Sequence, residues 1–283
     1  MSGDGKHHAK IRTADGGGGS KQLLIVGGLV AVLGGGAIWY LNRAGDETKL
    51  NPLFTAAEAR TIGTNNGQRG DMTLSDGSKL SIGPATKLII IPDYNKVFRG
   101  IKVQGTVSFD VKPSAGIPLE IRVGGAALVM NEGAAVVRGY PDEEDGYINL
   151  TVGTASVRGK GERRELTAPA AVRISKDSVV TDAEPAAAAL ATSWATGTVS
   201  IKDTPLKDVL PLFTKYYALT MEVADPALLT RPVTMDAQLD SKQKAIDALA
   251  ASAFVKFGYN DTKPVLRDDP AAAAKAAKAA PKP

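Results

Sequence analysis

The sequence predicts a mainly β protein, in which a β-sandwich or roll is followed by a small α+β domain and preceded by one transmembrane helix. Three observations lead to this fold class. Residues 23–41 form a long uncharged run, residues 59–182 contain short stretches that alternate apolar and polar residues, and helical spacing replaces the alternation after residue 182. Apolar residues at every second position are typical of a half-buried strand, and a spacing of three or four is typical of an amphipathic helix.

The uncharged run reads LLIVGGLVAVLGGGAIWYL. As a helix rising about 1.5 Å per residue, it is long enough to cross the roughly 30 Å hydrocarbon core of a bilayer. Trp39 and Tyr40 close the run, where aromatic residues favour the membrane interface, and the preceding residues 1–22 are basic. Because positive charge favours the cytoplasmic side, we expect a single-pass membrane protein with the bulk of the chain outside the cytoplasm.

A cleaved signal peptide is the alternative interpretation of this segment. Its apolar core would be shorter and a small-x-small cleavage site would follow, whereas residues 38–43 read IWYLNR. Gly27, Ala31 and Gly35 recur every four residues and form a small-residue face on which two membrane helices could pack as a homodimer. The alternative is that glycine is simply common in membrane helices.

Composition excludes several classes of chemistry. The chain has no cysteine, and its only histidines, His7 and His8, precede the membrane run. The exported part therefore lacks disulfides, thiolate nucleophiles and imidazole bases, and we expect neither an enzyme nor a cofactor. A glycosidase using two carboxylates stays open in principle. Basic residues are scattered and aromatic residues make up 5% of the chain, a pattern that does not indicate nucleic-acid binding.

An acidic cluster runs from Asp142 to Asp145. Carboxylates at this density could bind calcium, but the alternating ligand spacing of a calcium loop is missing. Pro141 begins the segment and Gly146 ends it, as in a turn between two strands. We therefore expect a turn.

Changes of composition divide the chain into seven segments. They are a disordered cytoplasmic tail (1–22), the transmembrane helix (23–41), a linker (42–58), the β domain (59–182), a second linker (183–193), the α+β domain (194–267) and a disordered Ala/Lys/Pro tail (268–283). Predicted β runs cover 80–91, 101–111, 119–123, 127–137, 147–157 and 166–174. Alternation is strict in 101–111, which reads IKVQGTVSFDV.

The α+β domain is predicted to follow the order β-α-β-β-α-β. Pro205 opens its first helix, with Asp203 or Thr204 as the cap, and Ser241 caps the second, which extends through Ala253. The apolar face of the first helix is predicted to comprise Leu206, Val209, Leu210, Phe213 and Tyr217. A split sheet of this kind exposes edge strands that suit pairing with another sheet. The alternative is that the edges are merely solvated.

Two motifs carry a resemblance to a known family. Residues 74–80 read LSDGSKL and residues 103–111 read VQGTVSFDV. They resemble the Leu-x-Asp-Gly-Ser-x-Val/Leu opening and the Gly-x-x-x-Phe-Asp-Val strand of the periplasmic domain of FecR-family proteins. From Trp194 onward the chain is similar to the small C-terminal domain of these proteins, which is related to signalling domains of secretins and TonB-dependent receptors. The likeness covers about residues 61–267.

The residues that carry these motifs are expected to build the scaffold rather than perform chemistry. They are Asp76, Gly77, Ser78, Gly105, Phe109, Asp110, Val111, Trp194 and Gly197. The sequence departs from the family in three respects. The family's Gly-Glu-Ala is Gly105-Thr-Val here, and its Gly-Thr-x-Phe hairpin is Gly133-Ala-Ala-Val. Residues 1–22 also show no helical period where FecR proteins carry a cytoplasmic sigma-factor-binding domain.

The resemblance implies signal transduction across the inner membrane of a Gram-negative-type bacterium, with links to sigma-factor regulation and iron transport. A periplasmic protein partner would be a TonB-dependent receptor signalling domain or a secretin-like domain, and a cytoplasmic or membrane partner chain would complete the pathway. Candidate contact residues are Lys202, Asp203, Lys207 and Tyr216, which we expect to be exposed, and the strand edge around Met221 and Val223. An envelope scaffold or secretion-apparatus component without a regulatory role is the main alternative.

Overall fold

The structure is a computed structural model that describes residues 51–279. The contacts divide the chain into the units 1–42 and 43–283, and the described residues all belong to the second unit. The predicted transmembrane segment 23–41, with Gly27, Ala31 and Gly35, lies outside the described residues. Within residues 51–279, no helix combines the length and the apolar character needed to span a bilayer.

Thirteen strands form one bent sheet in the first part of the described chain, after a short helix α1 (Asn51–Phe54). The strands are β1 (Arg60–Gly63), β2 (Gly70–Thr73), β3 (Lys79–Ile82), β4 (Lys87–Ile90), β5 (Arg99–Val111), β6 (Leu119–Val123), β7 (Ala126–Met130), β8 (Gly133–Gly139), β9 (Gly146–Val152), β10 (Thr154–Arg158), β11 (Arg163–Thr167), β12 (Ala170–Ile174) and β13 (Val180–Asp182).

Strand β5 belongs to both halves of this sheet. Its first part pairs antiparallel with β4 and parallel with β6, and its second part pairs antiparallel with β3 and β8. One half continues through β7, β10 and β11, and the other through β9, β12 and β13. Buried side chains from both halves form a single core. The predicted β-sandwich or roll is therefore confirmed.

The bend in β5 occurs at Gly105, whose φ is 135°. A β-carbon built there would lie 2.4 Å from Oγ1 of the buried Thr86. Thr86 Oγ1 accepts a hydrogen bond from the backbone N–H of Thr106 at 3.0 Å, so a side chain fills the space that a residue larger than glycine would need. After the bend, Phe109 and Val111 enter the core while Asp110 stays exposed, as the alternation predicted.

Several predicted β runs contain two strands each. In each of the runs 127–137, 147–157 and 166–174, the two strands do not pair with each other and lie in different halves of the bent sheet. Only one or two residues separate the two strands of each run, so the apolar pattern alone does not reveal the crossing. The Gly83-Pro84 break in the run 80–91 was visible in the sequence and does separate β3 from β4.

A small α+β module follows the bent sheet. Its elements are α2 (Pro185–Thr196), β14 (Thr198–Pro205), α3 (Leu206–Tyr217), β15 (Glu222–Val223), a 3₁₀ helix (Pro226–Thr230), β16 (Pro232–Gln238), α4 (Lys242–Ala253), β17 (Val255–Asn260), β18 (Lys263–Asp268) and α5 (Pro270–Ala279). The strands form two small sheets, with β14 beside β16 in one and the order β15-β18-β17 in the other. The Ser241 hydroxyl accepts from the Lys244 N–H and caps α4, as predicted.

Three local predictions for this part of the chain are wrong. The linker 183–193 is largely the helix α2, because alanine has the highest helix propensity, Pro185 suits the first turn and Gly197 ends the helix with a φ of 70°. Residues 270–279 of the predicted disordered tail form α5, which is similarly rich in alanine. Neither Asp203 nor Thr204 caps α3, since Pro205 occupies the N-cap position.

We expect Gly105→Ala to destabilise the fold more than Gly77→Ala. Both glycines have positive φ, a conformation that costs other residues about 1–3 kcal/mol, but a β-carbon at Gly77 (φ 84°) meets nothing within 4 Å. At Gly105 the overlap with Thr86 adds roughly 1–3 kcal/mol. Urea unfolding of both variants measures the difference. Equal losses would mean that the bend tolerates a side chain.

Candidate protein-interaction site

The Asp-Gly-Ser motif lies at a buried ion pair. Asp76 Oδ2 accepts hydrogen bonds from Arg99 Nη1 and from the Tyr94 hydroxyl, each at 2.9 Å, and Oδ1 accepts from the Ser78 N–H at 2.9 Å. The side chains of Asp76 and Arg99 are both 0% exposed. This arrangement ties the β2–β3 turn to the first residue of β5.

The remaining donors of Arg99 hold loops at the same end of the sheet. Its guanidinium donates to the backbone oxygens of Ile117, Lys112 and Asn131 at 2.7, 2.8 and 3.2 Å. Ser78 Oγ also accepts from the Lys112 N–H at 3.0 Å. The sequence contained no signal for Arg99, because its partners come from distant parts of the chain.

Electrostatics at this ion pair favour the charged carboxylate. Burial by itself would raise the pKa of Asp76, but the hydrogen bonds from Arg99, Ser78 and Tyr94 outweigh it and hold the pKa below its ordinary value of 3.8. Burial and the adjacent Asp76 charge raise the pKa of Tyr94 well above 10.0. Tyr94 therefore keeps its proton at physiological pH and donates a hydrogen bond to Asp76.

The α+β module packs on the β domain through α2, which contacts β8, β9 and β12. Trp194 in α2 is 4% exposed, and its Cδ2 lies 3.1 Å from the position that a β-carbon of Gly83 would occupy. Val136 on β8 packs against the module's own core. Glycine at position 83 thus allows the indole to approach the β domain closely.

Lys215 of α3 connects the two parts electrostatically. Its Nζ lies 3.1 Å from carboxylate oxygens of both Asp142 and Glu143 and 4.3 Å from the centre of the Tyr140 ring. Glu143 also receives two hydrogen bonds from Arg138, at 2.6 and 2.8 Å. Lys215 is 8% exposed. Its ammonium group is therefore largely shielded from water and lies next to two carboxylates.

The acidic segment that includes Asp142 is a turn, as predicted, and cations of the chain face each of its carboxylates. Glu144 lies 3.5 Å from Lys176 and Asp145 lies 3.1 Å from Arg173. Within residues 51–279 there is no group of three or more Asp, Glu or His side chains placed to hold a metal ion. Two of the four carboxylates, those of Asp142 and Glu143, contact Lys215.

A second polar contact joins the β1–β2 loop to α3. Arg69 Nη1 donates to the Tyr216 hydroxyl at 2.7 Å, and its guanidinium carbon lies 4.7 Å from the centre of the Tyr216 ring. The N–H of Gly67 donates to the Lys215 backbone oxygen at 2.7 Å. Helix α3 therefore contacts both the loop and the acidic turn of the β domain. We call this set of contacts the domain junction.

The structure separates the six predicted contact residues into two groups. Lys202, Asp203 and Lys207 are exposed and Val223 is half-buried. Tyr216 and Met221, at 7% and 9% exposure, are buried, so the prediction that Tyr216 is exposed is wrong. The periodicity of α3 could not reveal the burial of Tyr216, because Arg69, which contacts it, lies in a distant part of the chain. Two residues of the apolar face predicted for α3, Leu210 and Tyr217, are only half-buried.

Strand β17 lies at one edge of the module's three-stranded sheet, so it can pair with a partner strand. Hydrogen bonding alternates along an antiparallel pair, and the Asp269 N–H bonds to the Phe254 oxygen in the same register. Backbone groups of Val255, Phe257 and Tyr259 therefore point away from β18. Tyr259 is 62% exposed and stacks edge-on against Phe257. Chemically, this edge can add a strand and cover its apolar side chains.

Comparison with known proteins supports the family resemblance. Residues 60–158 match the family of FecR proteins. The match extends from β1 to β10. No curated protein matches the chain.

Two crystal structures of a candidate anti-sigma factor from Parabacteroides distasonis ATCC 8503, at 2.50 and 1.65 Å resolution, have a similar fold. The TM-score is 0.65 for both, the sequence identities are 18% and 17%, and the match covers 74% of this chain and 99% of that chain. At this sequence identity the likeness shows a similar fold. It extends over more of the chain than residues 60–158.

Asp76→Asn should lower the free energy of unfolding by roughly 3–5 kcal/mol, because Arg99 stays buried without its counter-charge. Since the pKa of Asp76 is lower in the folded chain, its contribution is complete above the unfolded-state pKa of about 4 and is lost as pH falls through the folded-state pKa. Urea unfolding between about pH 2.5 and pH 6 should show this loss in the natural chain only.

The matched control for this prediction is Asp110→Asn. Asp110 pairs with Lys112 on the exposed side of β5, where both side chains are 51% accessible. Its loss should cost no more than about 1 kcal/mol. Similar costs for the two variants would show that the Asp76–Arg99 pair contributes no more than a surface pair.

Lys215→Met should loosen the domain junction while keeping most of the aliphatic packing. The substitution leaves Asp142 and Glu143 without the ammonium group that lies between them. We expect faster amide hydrogen exchange in residues 139–146 and in α3. Lys207→Met, on the exposed side of the same helix, is the control and should leave the exchange unchanged. If amide exchange in the Lys215→Met variant equals that of the natural chain, the ion pairs of Lys215 do not stabilise the domain junction.

Proposed function

We propose that this protein is a non-enzymatic, membrane-anchored regulator that transmits a signal by binding another protein, in the manner of FecR proteins that control sigma factors. The observation that carries the proposal is a FecR domain over residues 60–158, docked to a small α+β module with a free strand edge. The fold it shares with a candidate anti-sigma factor of Parabacteroides distasonis supports the same role.

The proposed anchor is the segment 23–41, whose uncharged sequence suits a single membrane crossing. The basic residues before it favour an orientation with residues 1–22 in the cytoplasm and the FecR domain in the periplasm. A cytoplasmic or membrane partner chain would then carry the signal to a sigma factor.

The periplasmic partner is a protein that adds a strand to β17. Outward backbone groups at Phe257 and Tyr259 supply directional hydrogen bonds, and their paired rings supply apolar area that a partner would cover. The signalling domain of a TonB-dependent receptor or a secretin-like domain, which the family resemblance implies, has the sheet edge that such pairing requires. Iron uptake is the associated process in the family.

Cross-linking of the tagged full chain in its native membranes, followed by mass spectrometry, tests the proposed function. We expect capture of a receptor signalling domain together with a sigma factor or its regulator. Capture of secretion or envelope-assembly components alone would contradict signalling and favour the scaffold alternative.

Tyr259→Pro should weaken this capture up to about tenfold, because proline removes the outward N–H at the β17 edge. Tyr259→Ala is the matched control. It removes the same ring but keeps the N–H, so its capture should exceed that of Tyr259→Pro. Equal capture by the two variants would show that the partner does not pair with β17. Quantitative mass spectrometry of cross-linked complexes gives the ratio.

A further inference from the structure

Strands β1 and β2 are consecutive in the chain but do not pair with each other. β1 pairs with β4 in one half of the bent sheet, and β2 pairs with β3 in the other half. The gap between them is an open groove of about 550 Å³. This volume lies within the roughly 300–1,000 Å³ that is typical of ligand sites. The groove is therefore bounded on both sides by free sheet edges.

The register of each pair shows which backbone groups face outward. The Thr64 N–H bonds to the Thr86 oxygen beside β1, and the Leu74 N–H bonds to the Ser78 oxygen beside β2. Because bonded and non-bonded residues alternate, the N–H and C=O groups of Thr61 and Gly63 point away from β4. Strand β1 thus offers the donors and acceptors that an added strand needs.

Side chains give this groove an apolar floor, a cationic residue on the β1 side (Arg60) and a carboxylate on the β2 side (Asp71). Ile62 and Met72 are half-buried, pack against the core and line the groove together with the buried Ile82. Arg60 lies on β1 at the rim and, within residues 51–279, has no ion-pair partner. The exposed Lys87 is opposite Gly63 on β4. The β1 side therefore suits a carboxylate next to apolar side chains.

The same groove is connected to the domain junction. Arg69 lines the groove and also donates to Tyr216 of α3. Gly67, in the loop between β1 and β2, donates to the backbone of Lys215. These contacts hold the loop in place, so the two strand edges keep their separation without a ligand.

We propose that the groove binds an extended acidic segment of a protein partner, which adds to β1 as a new strand. Arg60 and Ile62 are two positions apart on β1, so their side chains lie on the same face of the strand. The residues of an added strand that lie beside them are also two positions apart. The bound segment therefore carries Asp or Glu beside Arg60 and an aliphatic residue two positions away beside Ile62. This surface is separate from β17 and does not depend on the proposed function.

Selection from a phage-displayed library of random eight-residue peptides, on the immobilised full chain in detergent, tests the proposal. We expect enrichment of peptides that contain an acidic and an aliphatic residue two positions apart. Recovery should fall at least tenfold on Arg60→Glu, which reverses the rim charge, and on Gly63→Pro, which removes an outward N–H.

Two controls distinguish binding in the groove from other effects. Lys160→Glu makes the same charge change at another exposed position, and Gly63→Ala keeps the N–H while its β-carbon makes only an ordinary 3.6 Å contact with the Thr86 oxygen. Both should recover peptides as well as the natural chain does. Absence of the acidic–aliphatic pattern, or equal recovery by Gly63→Pro and Gly63→Ala, would overturn the proposal. Circular dichroism verifies that each variant is folded.

Discussion

One strand, β5, has to serve two halves of a sheet at once, and the rest of the structure depends on that constraint. Its first part pairs with β4 and β6 and its second part pairs with β3 and β8. Gly105 permits the change of direction because its missing β-carbon leaves room for Thr86. The bend brings the apolar faces of the two halves together into one core, and it also separates β1 from β2. The groove between these two strands is thus a consequence of the bend.

A buried ion pair fixes the beginning of that strand. Breaking a buried pair costs far more than forming it gains, because the remaining charge loses its compensation. Arg99 is the first residue of β5, and it binds Asp76 and three loop carbonyls at once. These contacts together fix the position of β5. At the domain junction, a similar principle applies to Lys215, whose ammonium group is buried against Asp142 and Glu143. Both sites place one cation where several distant segments of the chain meet.

Local patterns predicted the elements well where the physical cause was itself local. The alternation of 101–111 identified β5, and Ser241 marked the start of α4. Prediction failed where the cause was distant. The burial of Tyr216 depends on Arg69, about 150 residues away in sequence, and neither helical period nor composition contains that information. Arg99 and Lys215 were missed for the same reason, since a buried cation has the same sequence signature as an exposed one. The sequence predicted that the α+β domain would have exposed edge strands. Which strands lie at the edges became known only from the strand pairing in the structure.

We infer that the β domain and the α+β module form one cooperative unit through the domain junction. Amide hydrogen exchange of the full chain, measured by mass spectrometry over a series of urea concentrations, tests it most directly. We expect the most protected amides of β5 and of α3 to exchange through one global unfolding event with the same free energy and the same urea dependence. Exchange of α3 through an opening that costs several kcal/mol less, while β5 stays protected, would show that the two parts unfold independently.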